Sequence, residues 1–277
     1  MNKTITVTIS VIILVVVAGA GWYFFGNSSQ SQIDAAAAEI QQIMQERSEE
    51  NQRALHYELK ELDLSTVQDE YPRTEAVGIF FATPWGAGEV TDDRETAAML
   101  EFPNGQEMVI MSSSRDADDY ETSQDFLMEM DEDQLPGQAS SLELFTDKLG
   151  EGFSEYEMMK YVFSVTPDDV AAAATSEEAQ LRAYAIILKA GNMLSSTAQV
   201  YHFQTDYAEG FWSSSPQGES LLQVWTHNNW YGLSMQDLDS GNAQEVAEVI
   251  AATLRPIDGA KLPEAESDNS TDNYFGE

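Results

Sequence analysis

Residues 5 to 25 form an apolar run of 21 residues without a charged side chain. At a rise of about 1.5 Å per residue, a helix of this length spans roughly 30 Å, the hydrocarbon thickness of a bilayer. Trp22 to Phe25 close the run like an interfacial aromatic belt, and Lys3 precedes it. The run predicts a single-pass transmembrane anchor over residues 1–26 in the cytoplasmic or inner membrane. The N-terminus is then cytoplasmic, and the remaining chain is periplasmic or extracellular.

A cleaved signal peptide is the alternative interpretation of the same run. Ala18-Gly19-Ala20 has the small-x-small form that a signal peptidase accepts. The apolar character continues beyond that position to Phe25, which favours an uncleaved signal anchor. Under both interpretations the bulk of the chain crosses the membrane.

The chain is strongly acidic, with 48 Asp and Glu against 13 Lys and Arg and a formal net charge of −35. Binding of nucleic acid or anionic lipid needs clustered Lys and Arg, so both are disfavoured as partners. The acids are spread along the chain, which favours a solvating surface adapted to high salt over a single cation-binding patch. The absence of cysteine excludes disulfides, thiolate metal sites and a lipid-modified cysteine.

Three further regions follow the predicted anchor. Residues 27–70 predict a juxtamembrane stalk, with a helix from Asp34 to Leu62 whose apolar positions recur every three or four residues. Residues 71–257 predict an α+β domain that begins at the helix-breaking Tyr71-Pro72 step. Residues 258–277 are acidic and poor in apolar side chains, which predicts a disordered tail.

Strands are predicted at both ends of the domain and helices in its middle. The pattern at the front predicts a strand over 76–82 and a hairpin whose turn is Pro103-Asn104-Gly105. Helix-capping signals follow at 154–157 and 166–169. The pattern then predicts four strands, at 199–204, 210–213, 221–226 and 230–235, and a last helix that ends before Pro256. This order favours an antiparallel sheet flanked by helices.

Three stretches carry a resemblance to a known family. They are GIFFATPWG with LEFPNGQEMVIM near the front, FSVTPDDVAAAATSEEAQLRAYAIILK in the middle, and AEGFWSSSP through AQEVAEVIAATLRP at the end. Over residues 75–257 the chain resembles membrane-anchored or lipid-anchored bacterial proteins distantly similar to PsbP and Mog1-like domains. The resemblance implies an α/β/α sandwich and a non-enzymatic accessory or adaptor role. It carries over no catalytic or metal-binding residue, and the run at 5–25 takes the place of a lipid anchor.

No residue pattern typical of an enzyme or a metal site is present. The three histidines are isolated in sequence, and neither a nucleophile elbow nor a His-Glu-x-x-His helix occurs. The acidic clusters Asp116–Asp119 and Asp131–Asp133 do not match the register of a calcium-binding loop. The sequence therefore assigns no catalytic, cofactor-binding or metal-binding residue, and no cofactor is expected.

Aromatic residues at turn and strand positions supply a candidate interaction surface, because Trp and Tyr are favoured in interface cores. They are Trp85, Phe211, Trp212, Trp230 and Tyr231. Packing inside the domain is the alternative for these side chains. Trp85, in the stretch TPWGAGEV, is predicted to fold back on the core, and Trp225 is predicted to pair with Trp230 across a hairpin.

The sequence thus predicts a non-enzymatic, membrane-anchored, extracytoplasmic module that binds or assembles envelope proteins. Its expected partners are the membrane, through one span, and another envelope protein or a second copy of the chain. One alternative is an extracytoplasmic hydrolase that uses carboxylates such as Asp168 and Glu178. A stalk-linked homo-oligomer with a structural role is the other.

Overall fold

A computed structural model describes residues 33–34, 36–38, 40–41, 53–67, 71–114, 127, 140–192, 199–215, 218–236, 238 and 240–262. The predicted anchor, the two acidic clusters and the tail beyond Leu262 lie outside these residues. The strands are β1 (Lys60–Glu61), β2 (Arg73–Ala76), β3 (Ile79–Ala82), β4 (Glu89–Arg94), β5 (Ala97–Glu101), β6 (Glu107–Ser114), β7 (Val200–Gln204), β8 (Glu209–Ser214), β9 (Ser220–Trp225), β10 (Asn229–Met235) and β11 (Arg255–Pro256). The helices are α1 (Ser141–Leu149), α2 (Glu155–Ser164), α3 (Pro167–Ala171), α4 (Ser176–Asn192) and α5 (Ser240–Thr253).

Eight strands form the larger of two sheets, in the order β1-β7-β8-β9-β10-β6-β5-β4. Every neighbouring pair is antiparallel except β1 and β7, which are parallel. The predicted hairpin between β5 and β6 is confirmed, with Gly105 at φ +82°, a value that glycine adopts without steric cost. The cross-strand pair of Trp225 with Trp230 is also confirmed.

Helices α1 to α4 cover one face of this sheet at its β7–β9 end. The sheet contributes Val200, Phe211 and Trp225 to the core beneath them. Tyr156 of α2 stacks on Phe211 with 5.1 Å between ring centroids. The Trp225 indole N–H donates to Glu155 Oε2 over 3.0 Å, which ties the sheet to the first turn of α2.

Capping residues explain where these helices begin. Ser154 and Glu157 form a reciprocal capping box at α2, and Thr166 and Asp169 form one at α3, as predicted. The cap of α1 is Ser140, whose hydroxyl oxygen accepts from the Glu143 backbone N–H.

Helix α5 and the smaller sheet, ordered β11-β3-β2, cover the opposite face of the larger sheet. The core on this side includes Ile79 and Phe81 of β3 and Ile250 and Leu254 of α5. The single strand predicted over 76–82 is in fact split between β2 and β3. Val77 and Gly78 turn the chain there, with φ of +47° and +82°.

The predicted fold class, an antiparallel sheet flanked by helices and preceded by a transmembrane helix, is wrong. The domain has mixed α+β content with a large sheet and several helices, but the large sheet contains the parallel pair β1/β7 and a second sheet is present. None of the helices in the described ranges is long and apolar enough to cross a membrane.

The helix predicted from Asp34 to Leu62 also differs from the observed chain. Described residues at 33–41 and 53–55 are helical, but Lys60–Glu61 forms β1. Ile33, Ala36 and Ile40 are buried in the core beneath α1 to α4. This part of the predicted stalk therefore packs on the domain.

Candidate interaction surface

The face that the helices cover continues beyond them. Paired residues of neighbouring strands point to the same face of a sheet. Trp225, which lies in the helical core, pairs with Trp230 of β10. Two residues along β10, Gly232 pairs with Met111 of β6, and Met111 pairs with Ala97 of β5. The same face therefore extends across β10, β6 and β5.

Apolar side chains on this extension are exposed. Met111 is 47% exposed, Met99 39% and Val109 37%, and Met99 pairs directly with Val109. On β6, Val109 and Met111 alternate with Met108 and Ile110, which are fully buried on the opposite face. We call Ala97, Met99, Val109 and Met111 the open face. Neighbouring exposed apolar side chains on one face of a sheet make this face a candidate interaction site.

Trp230 marks the border between the helical core and the open face. Its half-buried side chain packs against the core, and its indole lies along the sheet over Gly232. A Cβ atom added at Gly232 would come within 2.9 Å of Trp230 Cη2. Glycine at position 232 therefore leaves room for the indole.

A row of carboxylates borders the open face. Glu89, Glu101 and Glu107 are consecutive cross-strand partners on β4, β5 and β6. All three are exposed, and none forms an ion pair with a described residue. Like charges placed directly opposite one another on a sheet are destabilising.

The same border continues at the other end of β4. Asp92, the partner of Met99, pairs with Arg94 over 2.7 Å. Asp93 and Glu95 are exposed nearby. Carboxylates therefore outnumber cations at this end of the sheet, and Arg94 is already paired with Asp92.

The aromatic residues predicted as a surface do not form one. Phe211, Trp212 and Tyr231 are buried, because the strand register turns them toward the two cores. The Trp212 indole N–H donates to Ser220 Oγ over 2.9 Å, and burial raises the pKa of Tyr231 to about 12. Their assignment to an interaction surface is corrected accordingly.

Trp85 packs edge-on against Phe102 with 5.1 Å between ring centroids. It is half-buried beside the core that α5 covers, which confirms that this residue folds back on the domain. Of the predicted aromatic residues, Trp230 is the one that borders the open face.

Sequence reasoning missed Met99, Val109 and Met111. The signal was present in the stretch Met108–Met111, which is apolar at four consecutive positions. A strand with one solvated face alternates apolar and polar residues, so continuous apolar character predicts that both faces have a partner. The sequence alone does not say which of the two faces the domain covers itself.

The carboxylates proposed for hydrolysis are engaged in local contacts. Glu178 Oε2 accepts from the Ala174 backbone N–H and Glu178 Oε1 from Arg182, at 2.7 and 2.6 Å. Asp168 is exposed and lies 3.5 Å from His56 Nδ1. These contacts account for Glu178 as a group that caps α4 and orients Arg182.

A cleft of about 490 Å³ lies between α1, α2 and α4. Its charged lining mixes both signs: Asp147, Lys148, Asp169, Glu177, Glu178 and Arg182. Arg182 donates to the backbone carbonyl of Asp169 as well as to Glu178, so it links α3 to α4. Among the described lining residues, no two carboxylates are arranged so that one could act as a general acid and the other as a base or nucleophile.

Two polar side chains with lowered pKa values, the buried Lys189 and the half-buried His202, lie elsewhere in the helical half. Lys189 of α4 is 1% exposed, and burial lowers its pKa to about 8. Burial and the nearby Lys160 lower the pKa of His202 on β7, whose Nδ1 has no hydrogen-bond partner among the described residues. Within the described residues, no group of three or more His, Asp or Glu side chains could hold a metal ion.

No protein-family model, curated protein or solved structure matches the chain. The resemblance to PsbP and Mog1-like proteins therefore stays a prediction.

Proposed function

We propose that the chain is a non-enzymatic protein-binding module and that its binding site is the open face. The observation that supports this most directly is the exposure of Met99, Val109 and Met111 on a sheet whose same face is covered by helices further along. Water contact with this apolar area is unfavourable, at about 25 cal/mol per Å². A partner that covers the face gains this free energy.

The contacts of the acidic residues favour binding over catalysis. Catalysis requires a nucleophile, a base or an acid pair that converges on one cavity. In the described residues the candidate acid Glu178 serves as a helix cap, and the other candidate, Asp168, is exposed and lies near His56. The methionines suit an interface, because their flexible side chains adapt to an apolar partner.

A comparison of two variants tests the proposal. The double variant Met99→Thr/Met111→Thr removes apolar area while retaining side chains that favour strands. Ile257→Thr is the matched control, because Ile257 is 47% exposed like Met111 but lies beyond β11, outside the open face. Thermal melting verifies that all three proteins fold.

Crosslinking and affinity purification from the native cells then identify bound proteins by mass spectrometry. We expect one or more proteins to be recovered with the wild type and the Ile257→Thr control, and to be lost with the double variant. Equal recovery with all three proteins would reject the open face as the site. A wild type that retains no protein beyond the level of an unrelated acidic domain would reject the binding function.

A further inference from the structure

Building on the proposed function, we infer that the open face takes a cationic, apolar segment of a different protein. Its apolar side chains would cover Met99, Val109 and Met111, and its Lys or Arg side chains would lie at the carboxylate row of Glu89, Glu101 and Glu107. The inference depends on the register of β4, β5 and β6, which places the two sets on one face.

The spacing of the strands defines what such a segment must present. Adjacent strands are about 4.8 Å apart, and alternate residues of a strand about 7 Å apart. The carboxylate row thus spans roughly 10 Å, and the pair of Met99 with Val109 lies two positions along the strands from the pair of Glu101 with Glu107. A segment with an apolar side chain about 7 Å from a cationic one matches both rows at once.

The negative charge of the carboxylate row indicates that the partner segment is cationic. Because the three carboxylates have no cationic partner among the described residues, they repel one another in the free domain. Lys or Arg side chains of a partner replace this repulsion by attraction, and they raise the association rate at low salt. An anionic partner increases the repulsion.

Negative charge disfavours two other occupants of the open face. A second copy of the chain carries a formal charge of −35 and brings a second row of glutamates to the contact. The stretch from 116 to 133, which follows β6 in the sequence, contains many Asp and Glu residues and no Lys or Arg. Neither of these occupants supplies an excess of Lys or Arg side chains to pair with the carboxylate row.

Three synthetic amphipathic peptides provide the probe. They share one length and one pattern of leucines and differ only in the polar face, which carries Lys, Gln or Glu. Binding to the full chain is measured by fluorescence anisotropy at low and high salt. NMR signals of the methionine methyl groups report where each peptide binds, with the buried Met158 and Met159 as internal references.

Two variants of equal charge separate the carboxylate row from the overall charge of the chain. Glu101→Gln/Glu107→Gln changes the row, whereas Glu151→Gln/Glu245→Gln removes two exposed carboxylates from other parts of the domain. We expect the Lys peptide to bind most tightly and to shift the methyl signals of Met99 and Met111. We expect the row variant to weaken this binding about tenfold and the control variant to weaken it less than about twofold.

The outcomes distinguish the inference from the proposed function. If the Lys and Gln peptides bind equally, and Met99→Thr/Met111→Thr weakens both, then the binding face stands and the cationic partner is rejected. Equal weakening by the row variant and its control would also reject it. Failure of the Lys peptide to bind would overturn the inference. So would a homodimer, detected by sedimentation, that Met99→Thr/Met111→Thr dissociates.

Discussion

The side-chain ammonium of Lys189 donates a hydrogen bond to the backbone carbonyl of Tyr57 over 2.8 Å, although the two residues are 132 positions apart. A second bond of 2.8 Å goes to the carbonyl of Val165, where α2 ends. One buried amine thus joins α4, the end of α2 and the chain that leads into β1.

We expect this amine to give the domain a distinctive dependence of stability on pH. Burial lowers the pKa of Lys189 to about 8 in the folded state, whereas an unfolded lysine titrates near 10.4. Below pH 8 both states hold the proton, and the cost of burying the charge is fully present. Between these pKa values the unfolded state binds more protons, so the contribution of Lys189 to stability rises with pH.

The variant Lys189→Met isolates this contribution. The free energy of unfolding of the wild type, relative to the variant, should increase by about 3 kcal/mol between pH 7 and 10.5. Urea unfolding across this pH range measures the difference. Parallel stability curves for the two proteins would contradict the prediction.

Ile40 provides a test of whether the chain before β1 belongs to the domain. Its side chain is 2% exposed and lies in the helical core. Ile40→Ala should lower the free energy of unfolding by about 2 to 4 kcal/mol, because it removes buried methyl groups and leaves a cavity. Ile257→Ala, at an exposed position, should change it by less than about 0.5 kcal/mol. Equal effects in urea unfolding would show that Ile40 does not contribute to the core.

The turn between β2 and β3 offers a stabilising substitution. Val77 has a φ of +47°, which is unfavourable for a β-branched residue, and Gly78 follows at +82°. Asn-Gly is a preferred pair for a two-residue hairpin with two positive φ angles. Val77→Asn should therefore increase the free energy of unfolding by about 1 kcal/mol. Gly78→Ala should reduce it, and a decrease with Val77→Asn would disprove the turn geometry.

Salt should stabilise the domain through its unpaired acids. At about 2 M NaCl charges are screened within roughly 2 Å, whereas at 0.1 M the screening length is about 10 Å. The melting temperature should therefore be higher at the higher salt concentration. Glu101→Gln should raise the melting temperature at low salt, on the order of 1 °C, and have no such effect at high salt. Differential scanning calorimetry gives both values; a lower melting temperature in 2 M NaCl would exclude salt adaptation.

Local signals in the sequence identified the helix starts and the hairpins. The capping boxes at Ser154 and Thr166 need only residues three positions apart, and the Pro103-Asn104-Gly105 turn needs only its own residues. Strand β4 was missed because all six of its side chains are exposed, which leaves no alternation to detect. Strand β1 was missed because it forms through parallel pairing with the distant β7.

The candidate site depended on information that is not local. Trp212 and Met111 both look like strand residues, yet Trp212 is buried beneath α5 and Met111 is exposed. The two residues differ in exposure because the helices cover only part of each sheet face. Tertiary packing determines which part is covered. Partner identity and location across a membrane stay predictions from the sequence.

The burial of Ile33, Ala36 and Ile40 affects how the domain can be oriented. These side chains are held in the helical core, so the chain that precedes them leaves from a defined point on the domain. Residue 33 and Trp230, at the border of the open face, therefore pack on one core, so the position of the open face relative to residue 33 is set by that packing.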